Sequence, residues 1–390
     1  MKPRRGKTGI RKGILLTLLA LIAVAAVVIG INAMQDAKAA EDFSEMEDNL
    51  KAENVILKYP VFDGNRVWEN AAVVIENGVI SADTVLGEGD MDSRYFLMPG
   101  LVDAHTHVSS EADVVQMIRN GVTATCDVSA SDELLAYSDL PTIWSARSGA
   151  FVFTEDGKAF VEDMVCRGAK YIKVVIDLPE IMMGGGLMEK QVIEDIVATA
   201  HEHDLKVAVH AISIAGVRLA VDAGADLLIH IPIGEELTEE LAQQIADQGI
   251  AVMPTLVMMK AFADSPLYGF EPEDYQDAVN AVQLLHSLNV PILAATDANP
   301  GGFVPKVEHG IDLHREMQLL VEAGLTPLEV LQSATGNVAE AFGIENMGSI
   351  APGQPATMIL VEGRPDQEIT DSTKIVQIWI NGKPILKWEE

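Results

Sequence analysis

The sequence predicts an α/β protein built on a closed barrel of eight parallel strands alternating with helices, a (β/α)8 barrel. Three observations carry this. Apolar segments recur, several of which end in a metal-capable or proton-transferring side chain, amphipathic stretches of helical period lie between them, and eight strand-like apolar segments fall between residues 101 and 297. Eight parallel strands, each followed by a helix, close on themselves and place an active site at the C-terminal ends of the strands.

The first strand begins at Leu101 and closes on His105-Thr106-His107. Side chains alternate along a strand, so both imidazoles project from one face, which is how a single strand grips a divalent cation. Two histidines facing solvent give the same pattern, so the weight comes from the later segments. Strands are expected at 122–128, 142–145, 171–176, 206–210, 227–231, 250–255 and 292–297. Among them, His210, His230 and Asp297 stand at strand ends and Lys173 lies mid-strand. Helices are expected at 188–203, 214–223, 238–248 and 273–288.

A barrel takes about 250 residues, so a chain of 390 has flanks to explain. Val55 to Gly64 and Ala72 to Ile80 read as strands punctuated by Asp-Gly and Asn-Gly turns, and Thr357 to Val361 and Ile375 to Gly382 read the same way. At the N-terminus, Lys2, Arg4, Arg5, Lys7, Arg11 and Lys12 precede an uncharged apolar run at 13–33, followed by Ala37-Lys38-Ala39. Signal peptide and anchor helix both fit; the length of the run favours a retained anchor. Either way the positive flank is expected to stay in the cytoplasm and the rest of the chain to sit outside it.

Setting those six basic residues aside leaves 21 basic against 58 acidic residues, a net charge near −37. That balance excludes nucleic acid and anionic headgroups as partners. An acidic surface of this kind suits a saline habitat and equally a merely soluble protein. Two cysteines, Cys126 and Cys166, cannot make a disulfide framework; they are expected to be buried thiols, with a single bridge as the alternative.

The chain resembles the amidohydrolase superfamily, most closely its imidazolonepropionase-like and Xaa-Pro or Xaa-Arg dipeptidase branch, over about residues 54–384. The resemblance rests on Met98-Pro-Gly-Leu-Val-Asp-Ala-His-Thr-His107, on Pro291-Ile-Leu-Ala-Ala-Thr-Asp-Ala-Asn-Pro-Gly301, on His309-Gly310 through Leu313-His314-Arg315-Glu316 to Ala323-Gly-Leu-Thr-Pro327 and Ala334-Thr335, and on Gly348-Ser-Ile-Ala-Pro-Gly353. It implies that the two flanks pair into one small β-sandwich. The organisation is then a basic N-terminus with signal or transmembrane segment at 1–35, a linker at 36–51, sandwich pieces at 52–98 and 346–390, and the barrel at 99–345.

Lys173, pointing into a dry barrel beside cations, should lose basicity through burial and like charge. A neutral amine can take up carbon dioxide as a carbamate, and the resemblance implies that this group bridges two metals. A lysine that snorkels or pairs with a carboxylate is the plainer reading. The implied centre has His105, His107 and Asp297 on one ion, His210 and His230 on the other, and carboxylated Lys173 across both. Such ligands suit zinc. The implied reaction is cleavage of an amide by a metal-activated hydroxide, with Asp297, and His230 in a mononuclear variant, serving catalysis. Substrates expected are a dipeptide, an N-acyl amino acid or a cyclic amide.

Other polar residues carry less. His309, in the loop after the eighth strand, is a substrate-contact candidate. His201, His203, His286 and His314 read as helix-face residues, and Arg147, Lys260 and Lys306 as surface charges. Departures from the family matter too. Ser213 stands where deaminases and imidazolonepropionase carry a proton-shuttling glutamate, which weakens both readings. Ile229-His230-Ile231-Pro232 replaces the branch's usual Glu-His-Gly, and the loop after the third strand is short. Gly184-Gly185-Gly186 fits a mobile loop or a connector. The alternatives are a mononuclear cyclic-amide hydrolase or deaminase-like enzyme with uncarboxylated Lys173, and a non-catalytic membrane-tethered binding protein.

Overall fold

The computed structural model describes residues 54–87, 92–136, 141–178 and 185–385. The expected leader and linker, and Gly184, lie outside the described residues. No helix among the described residues is long and apolar enough to cross a membrane.

Seven parallel barrel strands follow in order: Leu101–Thr106, Val122–Asp127, Thr142–Ser145, Ile172–Val175, Val207–His210, Leu227–Ile229 and Ala251–Met253. The third and fourth are joined by the Lys170 amide donating to the Ser145 carbonyl at 2.9 Å, and by Gly149–Ala150 lying parallel to Lys173 and Val174. The eighth segment differs from expectation, having no continuous ladder. It still closes the ring. Leu293 donates to the Val252 carbonyl at 2.9 Å, and Asp297 to the His105 carbonyl at 2.9 Å. Asp297, the last residue of the expected segment, has φ +60, so the chain leaves the extended form there.

Strands covered on both sides read as unbroken apolar runs, and the inward face is made of small and medium side chains. Val102, Ala104, Ala124, Ala146, Ala208 and Ala295 share the interior with Tyr171, and Phe342 packs edge-on to that ring at 5.2 Å between centroids. The outward face packs against the helices. Helix Ile214–Ala223 shows how tightly these are delimited: the Ser213 hydroxyl accepts the Gly216 amide at the start, and Gly224 ends it at φ +79. Helices Lys190–Glu202, Glu239–Asp247 and Tyr275–Ser287 lie within the expected ranges.

Beside the barrel, one sheet orders Lys383–Ile385, Ile375–Ile380, Met358–Glu362, Tyr95–Pro99, Val61–Phe62 and Val67–Trp68; a second contains Val55–Lys58, Ala71–Glu76, Val79–Ile80 and Val85–Leu86. Met358–Glu362 pairs antiparallel with Tyr95–Pro99, so the chain's two flanks meet in one sheet. Leu57, Val73, Ile75, Leu97, Met358 and Trp379 form the core between the sheets.

Two expectations are corrected. His314 is buried rather than on a solvent face: Nδ1 meets Ser372 Oγ at 2.8 Å and Nε2 the Asn120 carbonyl at 2.9 Å. Cys126 is buried, but Cys166, at the end of helix Gly157–Cys166, is exposed, and both are free thiols.

Candidate metal centre

The strand ends bring six side chains into one cluster at the C-terminal mouth of the barrel. His105 Nε2 and His107 Nε2 lie 3.2 and 3.0 Å from Asp297 Oδ1. Lys173 Nζ reaches His105 Nε2 at 3.3 Å. The His105 ring lies 5.9 Å from that of His230, which in turn lies 4.4 Å from that of His210. Ligand atoms of His105, His230 and Asp297 fall within 4.8 Å of one another.

Burial sets the protonation states. It lowers His105 and His210 to about 3, helped by the neighbouring Lys173, and takes His230 well below its ordinary value. The imidazoles are therefore neutral near pH 7 and hold free lone pairs. Burial also brings Lys173 down to about 7, opposed by Asp297. For Asp297 burial acts upward, but hydrogen bonds from His105 and His107 outweigh it and hold the carboxyl well below its usual range. Neutral nitrogens around a fixed carboxylate are the donor set a zinc ion accepts. His210 Nε2 is buried without a hydrogen-bond partner, 3.8 Å from Asp177 Oδ1, which fits a nitrogen kept for a metal.

The backbone at the mouth is strained. His230, Thr255 and Asp297 have φ of +71, +48 and +60. A β-branched residue seldom adopts such a conformation, and strain of this kind collects at functional sites.

Further residues, not singled out from the sequence, hold the cluster. Asp103 accepts the Thr296 amide at 3.0 Å and hydroxyl at 2.6 Å and the His105 amide at 3.2 Å, tying the first strand to the eighth; burial pushes it up to about 7. Its position two residues before His105, on the same face, was the available signal. Asp127 accepts the Val108 amide at 2.6 Å just beyond His107. Asp177 accepts the amides of Ile212 and Ser213 at 3.1 and 3.0 Å, and the Ser213 hydroxyl donates to it as well. A carboxylate from the end of the fourth strand thus stands beside Ser213, where the resembled enzymes carry their glutamate.

The remaining candidates stay apart from the cluster. His309 is 4% exposed with Nδ1 3.3 Å from Asp113, so a partner within the fold occupies it. His201, His203 and His286 pair with Asp226, Glu162 and Glu329. Arg147 pairs with Asp132, Lys260 with Asp264 and Lys306 with Glu308.

Residues 96–385 match the family described as the amidohydrolase family. The chain belongs to that family. Like other amidohydrolases it is a metal-dependent hydrolase of carbon–nitrogen bonds. It is 25% identical to ochratoxinase of Aspergillus niger over 83% of this chain and 69% of that protein. To imidazolonepropionase of Pseudoalteromonas atlantica it is 24% identical, over 81% and 92% of the two chains. Its fold matches the crystal structure of a Xaa-Pro dipeptidase with TM-score 0.71 at 21% identity, covering 85% of this chain and 99% of that one.

Proposed function

We propose that this amidohydrolase cleaves the amide bond of a dipeptide, an N-acyl amino acid or a cyclic amide outside the cytoplasm, at a binuclear zinc centre. The observation that carries this is the convergence of six side chains from five barrel strands, with the Lys173 amine wedged against His105. His105, His107 and Asp297 would hold one ion, His210 and His230 the other, and carboxylated Lys173 both.

The ions would supply Lewis acidity toward the substrate carbonyl and acidify water. The protein's own groups do the rest. A Lys173 amine that is substantially neutral at pH 7 adds to carbon dioxide, forming a carbon–nitrogen bond and releasing a proton to give the carbamate anion. Asp297, ionised and at the mouth, takes the proton from the attacking water and delivers it to the departing amine.

A cavity of about 430 Å³ borders the His210 side, shared between Asp177 and the walls formed by Leu178, Leu187, Ile212, Ile233 and Phe270. Carboxylates line it too, but each is already engaged by backbone: Asp177 by Ile212 and Ser213, Glu235 by Ile214, Asp274 by Glu271. None of the six candidate ligands lines the cavity, which reaches the site through Asp177, 3.8 Å from His210 Nε2; its leucine, isoleucine and phenylalanine walls support an apolar substituent on the substrate.

The test is turnover by the zinc-loaded protein across a panel of Xaa-dipeptides, N-acyl amino acids and lactams with apolar and charged substituents. Cleavage of apolar members is expected; no cleavage anywhere on the panel would sink the reading. A mononuclear enzyme with uncarboxylated Lys173 is the second reading, favoured by the tight trio of His105, His230 and Asp297. Elemental analysis separates the two, because one tightly held ion per chain supports the mononuclear form.

A further inference from the structure

Thr255 sits at the start of helix Leu256–Ala263, a place where threonine ordinarily caps the helix with its own hydroxyl. Here it does not. The Leu256 and Val257 amides are taken instead by the two carboxylate oxygens of Glu316, at 2.9 and 2.7 Å, reaching across from helix Ile311–Glu322. Glu316 and Thr255 are both fully buried. The Thr255 hydroxyl, released from capping, lies 2.7 Å from His230 Nδ1.

That contact has a chemical consequence for the imidazole. When Nδ1–H donates to the hydroxyl, the ring is fixed in the tautomer whose Nε2 carries a lone pair, and the ring's rotation is fixed with it. Thr255 reaches this position only in the left-handed region, at φ +48 and ψ +49. A β-branched residue there must be held by its surroundings, and Glu316 holds the two amides that follow it.

We propose that Thr255 is a positioning residue for His230, and that Glu316 keeps Thr255 in place by capping the helix in its stead. The clamp sets the tautomer and aim of His230 and so the zinc affinity of the His210 and His230 position. This inference rests on His230 being a metal ligand, as read above, and it adds two residues that touch neither ion nor substrate.

The experiment compares Thr255→Val, Thr255→Ser and Glu316→Gln with the wild-type protein. Zinc stoichiometry and affinity are measured by competition with a chromogenic chelator, and the His230 tautomer by imidazole ¹⁵N NMR of the metal-free protein. Thr255→Val, nearly isosteric, is expected to weaken zinc by about 10- to 100-fold and to lose the Nδ1-protonated tautomer. Thr255→Ser, which keeps the hydroxyl, should restore both to near wild-type values. Glu316→Gln loses one of two acceptors and should fall between. Wild-type zinc affinity and tautomer in Thr255→Val would overturn the proposal, and so would a Thr255→Ser protein as impaired as Thr255→Val. Should the wild type bind no zinc, the metal reading fails, while the tautomer measurement still decides whether Thr255 sets the ring.

Discussion

The two halves of the candidate metal centre are built differently. On the side of the first and eighth strands, the ligands hold one another: His105 and His107 both meet Asp297, and Asp103 binds the two strands together through Thr296. On the side of the fifth and sixth strands, no carboxylate among the described residues hydrogen-bonds both His210 and His230. His230 is held from outside by Thr255, and His210 is flanked by Asp177. The first half is thus self-assembled by short motifs, whereas the second depends on residues supplied by other strands and helices. Perturbing the first half should destroy chemistry, and perturbing the second should chiefly weaken metal retention.

The largest expected effect lies in the first half. Asp297→Asn keeps the shape of the side chain but removes the proton acceptor, and kcat should fall by about 10²- to 10⁴-fold with the fold retained. Circular dichroism and steady-state turnover check it. Substantial residual activity would show that Asp297 does not move the proton, and the contrast between the halves would lose its chemical meaning.

Lys173 stands between the halves and gives the next effect. Its folded pKa is depressed to about 7 by burial, from the 10.5 of a free lysine. Between those values the unfolded chain binds more protons, so in the metal-free protein stability rises with pH from about 7 to 10.5. Only the neutral amine takes up carbon dioxide. Zinc loading should therefore rise as pH increases through about 7, more steeply with added bicarbonate, and Lys173→Ala should hold fewer ions. Short carboxylic acids should partly restore them. A loading curve indifferent to bicarbonate would remove the carbamate, leaving the mononuclear enzyme.

The difference between the halves also explains what the sequence discloses. His105-Thr106-His107 and Asp297 are legible because strand alternation and a strand-end position fix where their side chains go. His210, His230 and Lys173 are legible from the same strand pattern, and so are the seven laddered strands and the helices that follow the fourth, fifth and sixth of them, whereas helices Glu111–Arg119, Asp132–Ala136 and Gly157–Cys166 are not read from the sequence. The supports of the second half are not. Thr255 and Glu316 lie 61 residues apart and are joined through the Leu256 amide; nothing local distinguishes Thr255 from an ordinary helix cap. His314 misleads for a related reason, since helical period tells which face a residue is on but not that Ser372 and the Asn120 carbonyl wait there. The eighth segment reads as a regular strand because its apolar run has strand character throughout, and nothing in composition marks the left-handed Asp297 at its end.

The smallest effect tests where the site ends. His309 follows the eighth strand, a place where a substrate contact is expected, yet it is buried and Asp113 engages its Nδ1. Asp113 also completes the capping box that starts helix Glu111–Arg119. Removing the imidazole should therefore loosen the packing between that helix and the loop, at a cost of about 1–3 kcal/mol for the lost buried hydrogen bond. His309→Gln is expected to lower the melting temperature by several degrees while leaving KM near the wild-type value. A raised KM at unchanged stability would place His309 on the substrate and extend the self-assembled half beyond its metal ligands. The predicted result, stability lost and KM kept, would confine that half to the strand ends.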